Sequence, residues 1–263
     1  MPFDLAPGEH NRLPGSPLTL VVCQVRFEAT PAASDAATVL AIHESLGGKD
    51  GQYPILERAQ VTPQLPPQVP DMHVVIPQIP VGWRYRSQDG TWMVTISPDS
   101  VALETTTAYT SWDEDFRARL MQLVNTVSER ISPAMVHRVG LRYIDQITQP
   151  GVDAPGDWQP FIAPELLGPL LHPTIGGAII GAQQQLEIDI GDGARCNLRH
   201  GLVRDPANAG RLTYILDTDA FRDEIGSFNV EQIMSDAERF HDVALALFQT
   251  SITPELKTIF EQT

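Results

Sequence analysis

The sequence predicts an α+β fold built as two related halves, each a curved, mostly antiparallel sheet packed on a long helix. Three observations predict it. Two long stretches, Ser111–Ile131 and Asn229–Thr250, carry apolar residues at three- and four-residue steps, the stripe of a helix with one buried face. Each follows a run of short alternating segments separated by turn signals, the pattern of a meander. Between the two units lies Val136–Ile147 (VHRVGLRYIDQI). Its residues Val139, Leu141, Tyr143 and Ile147 share one parity, and Arg138, Arg142 and Ile144 share the other.

Taken in order, residues 1–17 are rich in Pro and Gly and read as a surface arm. Thr19–Glu28 alternates Val21, Cys23, Val25 and Phe27 on one face of a first strand. Ser34–Leu46 reads as a helix, with Ser34 as N-cap and Gly47 just past its end. The Pro-rich stretch 61–82 excludes a helix or a central strand and predicts an extended connector with a short edge strand at His73–Ile76. A preformed extended segment loses little entropy on binding, so the same stretch is also a candidate docking segment.

Trp83–Ser87, Thr91–Ser97 and Val101–Thr107 form the first meander, the first turn marked by Gln88-Asp89-Gly90. Ser111 and Glu114 make a capping-box signature at the head of the first long helix, and Ser132-Pro133 ends it. Pro150–Pro160 is the strongest boundary signal, dividing the chain into 1–149 and 150–263. In the second half Gln183–Ile190, Arg195–Val203 and Arg211–Asp217 read as strands. Asn229 caps the second long helix, and Thr253-Pro254 opens a short terminal one.

Several fragments in this order resemble a sporadically distributed family of uncharacterised bacterial proteins. They are GWRYRSQDGTWMVTISPDSVAL, the pair Tyr109 and Trp112, RVGLRYIDQI, LDTDAF at 216–221 and FHDVALALFQTSITPEL near the C-terminus. That family carries an LRY(I/V)(N/D) strand motif and a late Phe-x-x-x-Ile-Thr, and this chain has Asp145 where Asn is commoner. The resemblance implies the segmentation given above and no catalytic residue. A sporadic distribution implies an accessory component of a bacterial defence or toxin–antitoxin-like locus.

Composition narrows the function classes. The net charge is -15, from 18 Lys+Arg against 33 Asp+Glu. A surface of that sign repels phosphate backbones and anionic lipid, and no Lys/Arg run offsets it, so neither a nucleic-acid nor a membrane partner is expected. A basic protein partner fits the charge. No apolar run approaches the length of a bilayer span, and the first residues lack a signal-peptide pattern, so the expected location is the cytoplasm. Cys23 and Cys196 have neither the number nor the spacing of a disulfide framework or zinc site.

Among residues that could carry chemistry, Arg138, Arg142 and Asp145 form the leading cluster. The two arginines share a strand face, about 13 Å apart at Cα, and could grip an extended or phosphorylated anion. The plainer reading pairs them with acids on neighbouring elements. Asp217 and Asp219 alternate like a carboxylate pair at a strand end, without a third ligand nearby in sequence. The seven histidines are scattered, and His241 falls beside the apolar stripe of the last long helix. Gly176-Gly177 lacks the lysine of a phosphate loop. These readings predict a cytosolic, non-catalytic binding or interaction protein without metal or cofactor. The alternative is a ligand-binding protein or enzyme that takes an anionic small molecule in a groove between sheet and helix.

Overall fold

The computed structural model describes residues 13–60, 81–205 and 211–262. The arm before residue 13, the connector over 61–80 with its expected edge strand, and residues 206–210 lie outside them. The described chain forms one ten-stranded antiparallel sheet with helices packed on one face. Its strands are β1 (Leu18–Phe27), β2 (Ile55–Gln60), β3 (Val81–Arg86), β4 (Trp92–Ser97), β5 (Ser100–Thr105), β6 (Met135–Ile147), β7 (Ala182–Gly191), β8 (Ala194–Asp205), β9 (Arg211–Arg222) and the two-residue β10 (Gly226–Ser227). The order across the sheet is β2-β3-β4-β5-β1-β6-β9-β8-β7, and β10 also pairs with β6. The helices are α1 (Ala36–Ser45), α2 (Arg117–Arg130), α3 (Pro164–Leu167), α4 (Val230–Ser251) and α5 (Pro254–Gln262).

The expectation of a separate sheet in each half is corrected: β6 of residues 1–149 pairs with β9 of residues 150–263, and at the central seam β6 also pairs with β1. β1 and β6 pair antiparallel, with Cys23 opposite Leu141 and Val25 opposite Val139. Each strand would otherwise leave an unpaired edge, and the seam satisfies both rows of backbone groups at once. The organising strand of the sequence is thus the middle of the sheet, flanked by β1 on one side and β9 on the other.

The two parities of β6 meet different surroundings. Val139, Leu141, Tyr143 and Ile147 are buried under the helices, as are Val21, Cys23, Val25 and Phe27 of β1. Leu120, Leu123 and Val127 of α2 and Ile233, Ala237, Phe240 and Ala244 of α4 complete the same core. These are the two longest helices of the described chain, at 14 and 22 residues. Asn229 caps α4 by accepting from the Gln232 amide at 2.9 Å. Ser111 accepts from the Glu114 amide at 3.0 Å, but the first turn after it, Trp112–Phe116, is a π-turn before α2 begins.

Some boundaries differ from the sequence reading. α1 is capped by Asp35, whose carboxylate accepts from Thr38 at 2.9 Å, and not by Ser34, which ends a short 3-10 turn. Gly47 follows α1 at φ 102°, the left-handed conformation that a C′ glycine adopts without a Cβ clash. β2 has no clear alternation in ILERAQ and was not foreseen; it is held by pairing with β3. β9 runs on to Arg222, so Asp217 and Asp219 lie within a strand and not at its end. The Pro-rich segment after β6 folds back on the sheet: Trp158 is fully buried and its ring lies 5.6 Å from that of Tyr214.

Candidate functional site

The face of the sheet turned away from the helices carries the arginines. Pairing of β6 with β9 places Arg142 opposite Asp219 and Ile144 opposite Asp217. Arg142 reaches diagonally to Asp217 with two hydrogen bonds, of 2.6 and 2.7 Å, and Arg199 from β8 approaches the same carboxylate at 3.2 Å. Arg138 binds both oxygens of Asp223 at 3.0 Å, lies 3.3 Å from Asp219, and stacks 3.9 Å above the Phe221 ring. The plainer sequence reading therefore describes this face. The acids of the LDTDAF segment are the partners of the arginines, and the positive charge is spent within the sheet. Asp217 holds the Arg142 guanidinium still more firmly protonated, while burial raises the pKa of Asp219 against the pull of the three arginines around it.

This network gives a stability prediction. The Asp217 side chain is 8% exposed, so removing its bidentate partner leaves a poorly hydrated carboxylate with one arginine. Arg142→Ala is expected to cost about 1–3 kcal/mol. Asp217→Ala added to it should return part of that loss, and a double-mutant cycle in urea measures the coupling. Strictly additive losses would show that the contact contributes nothing.

Asp145 does not join the two arginines. It has the parity of Leu141 and Tyr143 and faces the helix layer, 6% exposed. Its position brings it to a cleft of about 540 Å³ that the sequence reading did not assemble. Four elements build the walls: the entry to β1 from Leu13 to Leu18, the loop and π-turn from Thr106 to Glu114, the end of β6 with Tyr143 and Asp145, and the last turns of α4 from His241 to Phe248. The volume is within the range of small-molecule sites.

The cleft is organised by an aromatic chain. Tyr143 Oη lies 2.9 Å from His241 Nδ1 and 3.4 Å from Tyr109 Oη. The His241 imidazole stacks on the Trp112 indole with centroids 4.9 Å apart and planes 7° from parallel. Tyr109 stands edge-on to Tyr143 at 6.0 Å. Burial pushes the Tyr109 hydroxyl up to about 12 and raises that of Tyr143 well above its ordinary value, so both are neutral donors and acceptors at ordinary pH.

Asp145 is the polar group that this chain leaves out. Among the described residues no donor lies within hydrogen-bond distance of its carboxyl, and burial alone raises its pKa to about 7. Besides Tyr109 and Tyr143, the other ionisable residues lining the cleft are Asp113, Glu114 and His241, with no Lys or Arg among the described lining residues. The Trp112 indole N–H, buried behind the cleft wall, also has no acceptor among the described residues. Tyr109 and Trp112 were visible in sequence only as a pair before a helix. The signal for Asp145 was its parity, which already separated it from the arginines.

No family model, no curated protein and no solved structure matches this chain. No described helix is long and apolar enough to cross a membrane, and no group of His, Cys, Asp and Glu among the described residues is arranged to hold a metal ion. Both cysteines are buried as free thiols.

Proposed function

We propose that the protein is a binding protein whose ligand, a small molecule or the protruding side chain of a protein partner, occupies the cleft between the end of β6 and α4. The observation that carries this reading is Asp145: a residue 6% exposed on the wall of a cleft, whose carboxyl has no hydrogen-bond partner among the described residues. Burial disfavours the charged form of that carboxyl, and a ligand donor would offset that cost. The anion-gripping alternative loses its support, because Arg138 and Arg142 lie on the opposite face and are already paired with acids. A defence-associated role rests on the family resemblance alone.

We also read the two halves as related, supported by the strand order. With the boundary moved from 149/150 to the turn before β6, each side has, outward from the seam, its first strand, then the last strand of its meander, then the earlier ones. A long helix follows the meander on both sides. On this reading the cleft lies where the two repeats meet, a common place for a ligand site.

The test is a thermal-shift screen of the full chain against a fragment library, repeated on Thr107→Trp. Thr107 is an exposed residue of the cleft wall, so the indole can fill the space without entering the core. Fragments at about 100 times their Kd stabilise the fold by about 2.7 kcal/mol, a clear rise in Tm. Hits that vanish in Thr107→Trp support the cleft. Hits that survive unchanged, or no hits at all, would sink this reading.

A further inference from the structure

The charge pattern of the cleft says what kind of ligand it takes, given that the cleft is the binding site. Its ionisable lining is Asp113 and Glu114 at the mouth, Asp145 inside, and His241, which is engaged with Tyr143. Among the described residues no Lys or Arg lines it, and the chain as a whole carries -15. An anion entering would meet carboxylates and, among the described residues, no lysine or arginine to receive it. A cation would meet the Asp145 carboxyl, which has no partner among the described residues, beside aromatic rings whose faces attract positive charge. Tyr109 and Phe248 are half-buried and present apolar surface at the same opening.

We propose that the cleft binds a primary or secondary ammonium group carried on an aromatic or aliphatic body, with the cation seated on Asp145 and the body against Tyr109 and Phe248. The ammonium supplies the donors that Asp145 lacks among the described residues. The neighbouring hydroxyls of Tyr109 and Tyr143 add neutral acceptors, and Asp113 and Glu114 at the mouth attract the cation from solution.

The proton balance of this step is defined. Near pH 7 the Asp145 carboxyl is about half protonated, so seating a cation on it expels about half a proton. Binding of a neutral ligand need not expel one. The groups that face Asp145 are Tyr143 on its own strand, Tyr109, Asp113 and Glu114 from the loop before α2, and His241 from α4. The comparison with Asp145→Asn separates its proton from any of theirs.

The experiment uses calorimetry on the full chain with three size-matched probes: 2-phenylethylamine, 2-phenylethanol and phenylacetate. The amine is expected to bind about tenfold tighter than the alcohol or more, the difference made by one charge-assisted hydrogen bond, and the carboxylate weakest of the three. In Asp145→Asn the amine should fall to the level of the alcohol, and the proton release, read by repeating the titration in buffers of different ionisation enthalpy, should disappear. Tyr109→Ala should weaken amine and alcohol alike, and Asp145→Glu should retain the amine preference. Equal binding of amine and alcohol, a preference for the carboxylate, or no binding of any probe each overturns the ammonium assignment. The reading of the cleft as a binding site fails separately, on fragment hits indifferent to Thr107→Trp.

Discussion

Leu141→Ala is expected to destabilise the protein by about 2–5 kcal/mol. Leu141 is fully buried at the midpoint of the sheet, opposite Cys23 on β1 and Ala220 on β9. Both neighbours in the row are small, so the leucine supplies most of the volume between the seam and the helix layer. Its removal leaves a cavity that close-packed neighbours fill only in part. Guanidinium denaturation should show a lower midpoint with an unchanged slope, the sign that the native state lost stability and the unfolded ensemble did not change. Ile144→Ala on the same strand is the internal control. Ile144 is half-buried on the open face, and its loss should cost less than about 1.5 kcal/mol. A Leu141→Ala loss below about 1 kcal/mol would remove the seam from the core.

The parts of the fold that could be read from sequence are those where one periodicity acts alone. α2 and α4 were legible because their apolar stripes run unbroken, and because Ser111 and Asn229 stand at their heads. β6 was legible because its two faces meet different environments, helices on one side and charged neighbours on the other. β2 was not, because ILERAQ gains its strand conformation from pairing with β3 and not from its own alternation. The pairing of β1 with β6 was hidden for a related reason. Both strands read as half-buried from their alternation, and only the three-dimensional register shows that each completes the other. The extension of β9 through LDTDAF was missed because alternating Asp and Thr resemble a turn when their arginine partners, more than seventy residues earlier, are not in view. The candidate site divides in the same way. The pairing of Arg138 and Arg142 with acids was foreseeable from the excess of carboxylates. The cleft joins the start of β1, the loop before α2, the end of β6 and the end of α4, and no local pattern brings those four together.

Asp145→Asn is expected to stabilise the protein at neutral pH and to leave it nearly unchanged in acid. Burial holds the native carboxyl at about 7, whereas in the unfolded chain it titrates at about 4. Below about pH 4 both states keep the proton and the group contributes nothing to the pH dependence. Between about pH 4 and 7 the native state binds a proton that the unfolded state has released, so stability falls as pH rises. Above about pH 7 the loss levels off at about 4 kcal/mol, the equivalent of three pH units. Asparagine is close in shape and cannot ionise, so the variant should gain on the native chain along that same curve. Urea denaturation of both proteins from about pH 4 to 8 measures it. A stability difference that stays flat across the range would show that Asp145 is hydrated or paired, and would remove the observation on which the binding site rests. The predicted curve also bears on function. A carboxyl that weakens the fold near neutral pH is costly as structure alone, and a cation in the cleft reverses the sign by favouring the ionised form. The native chain saturated with 2-phenylethylamine at about pH 7.5 should therefore recover much of the stability that Asp145→Asn gains without it.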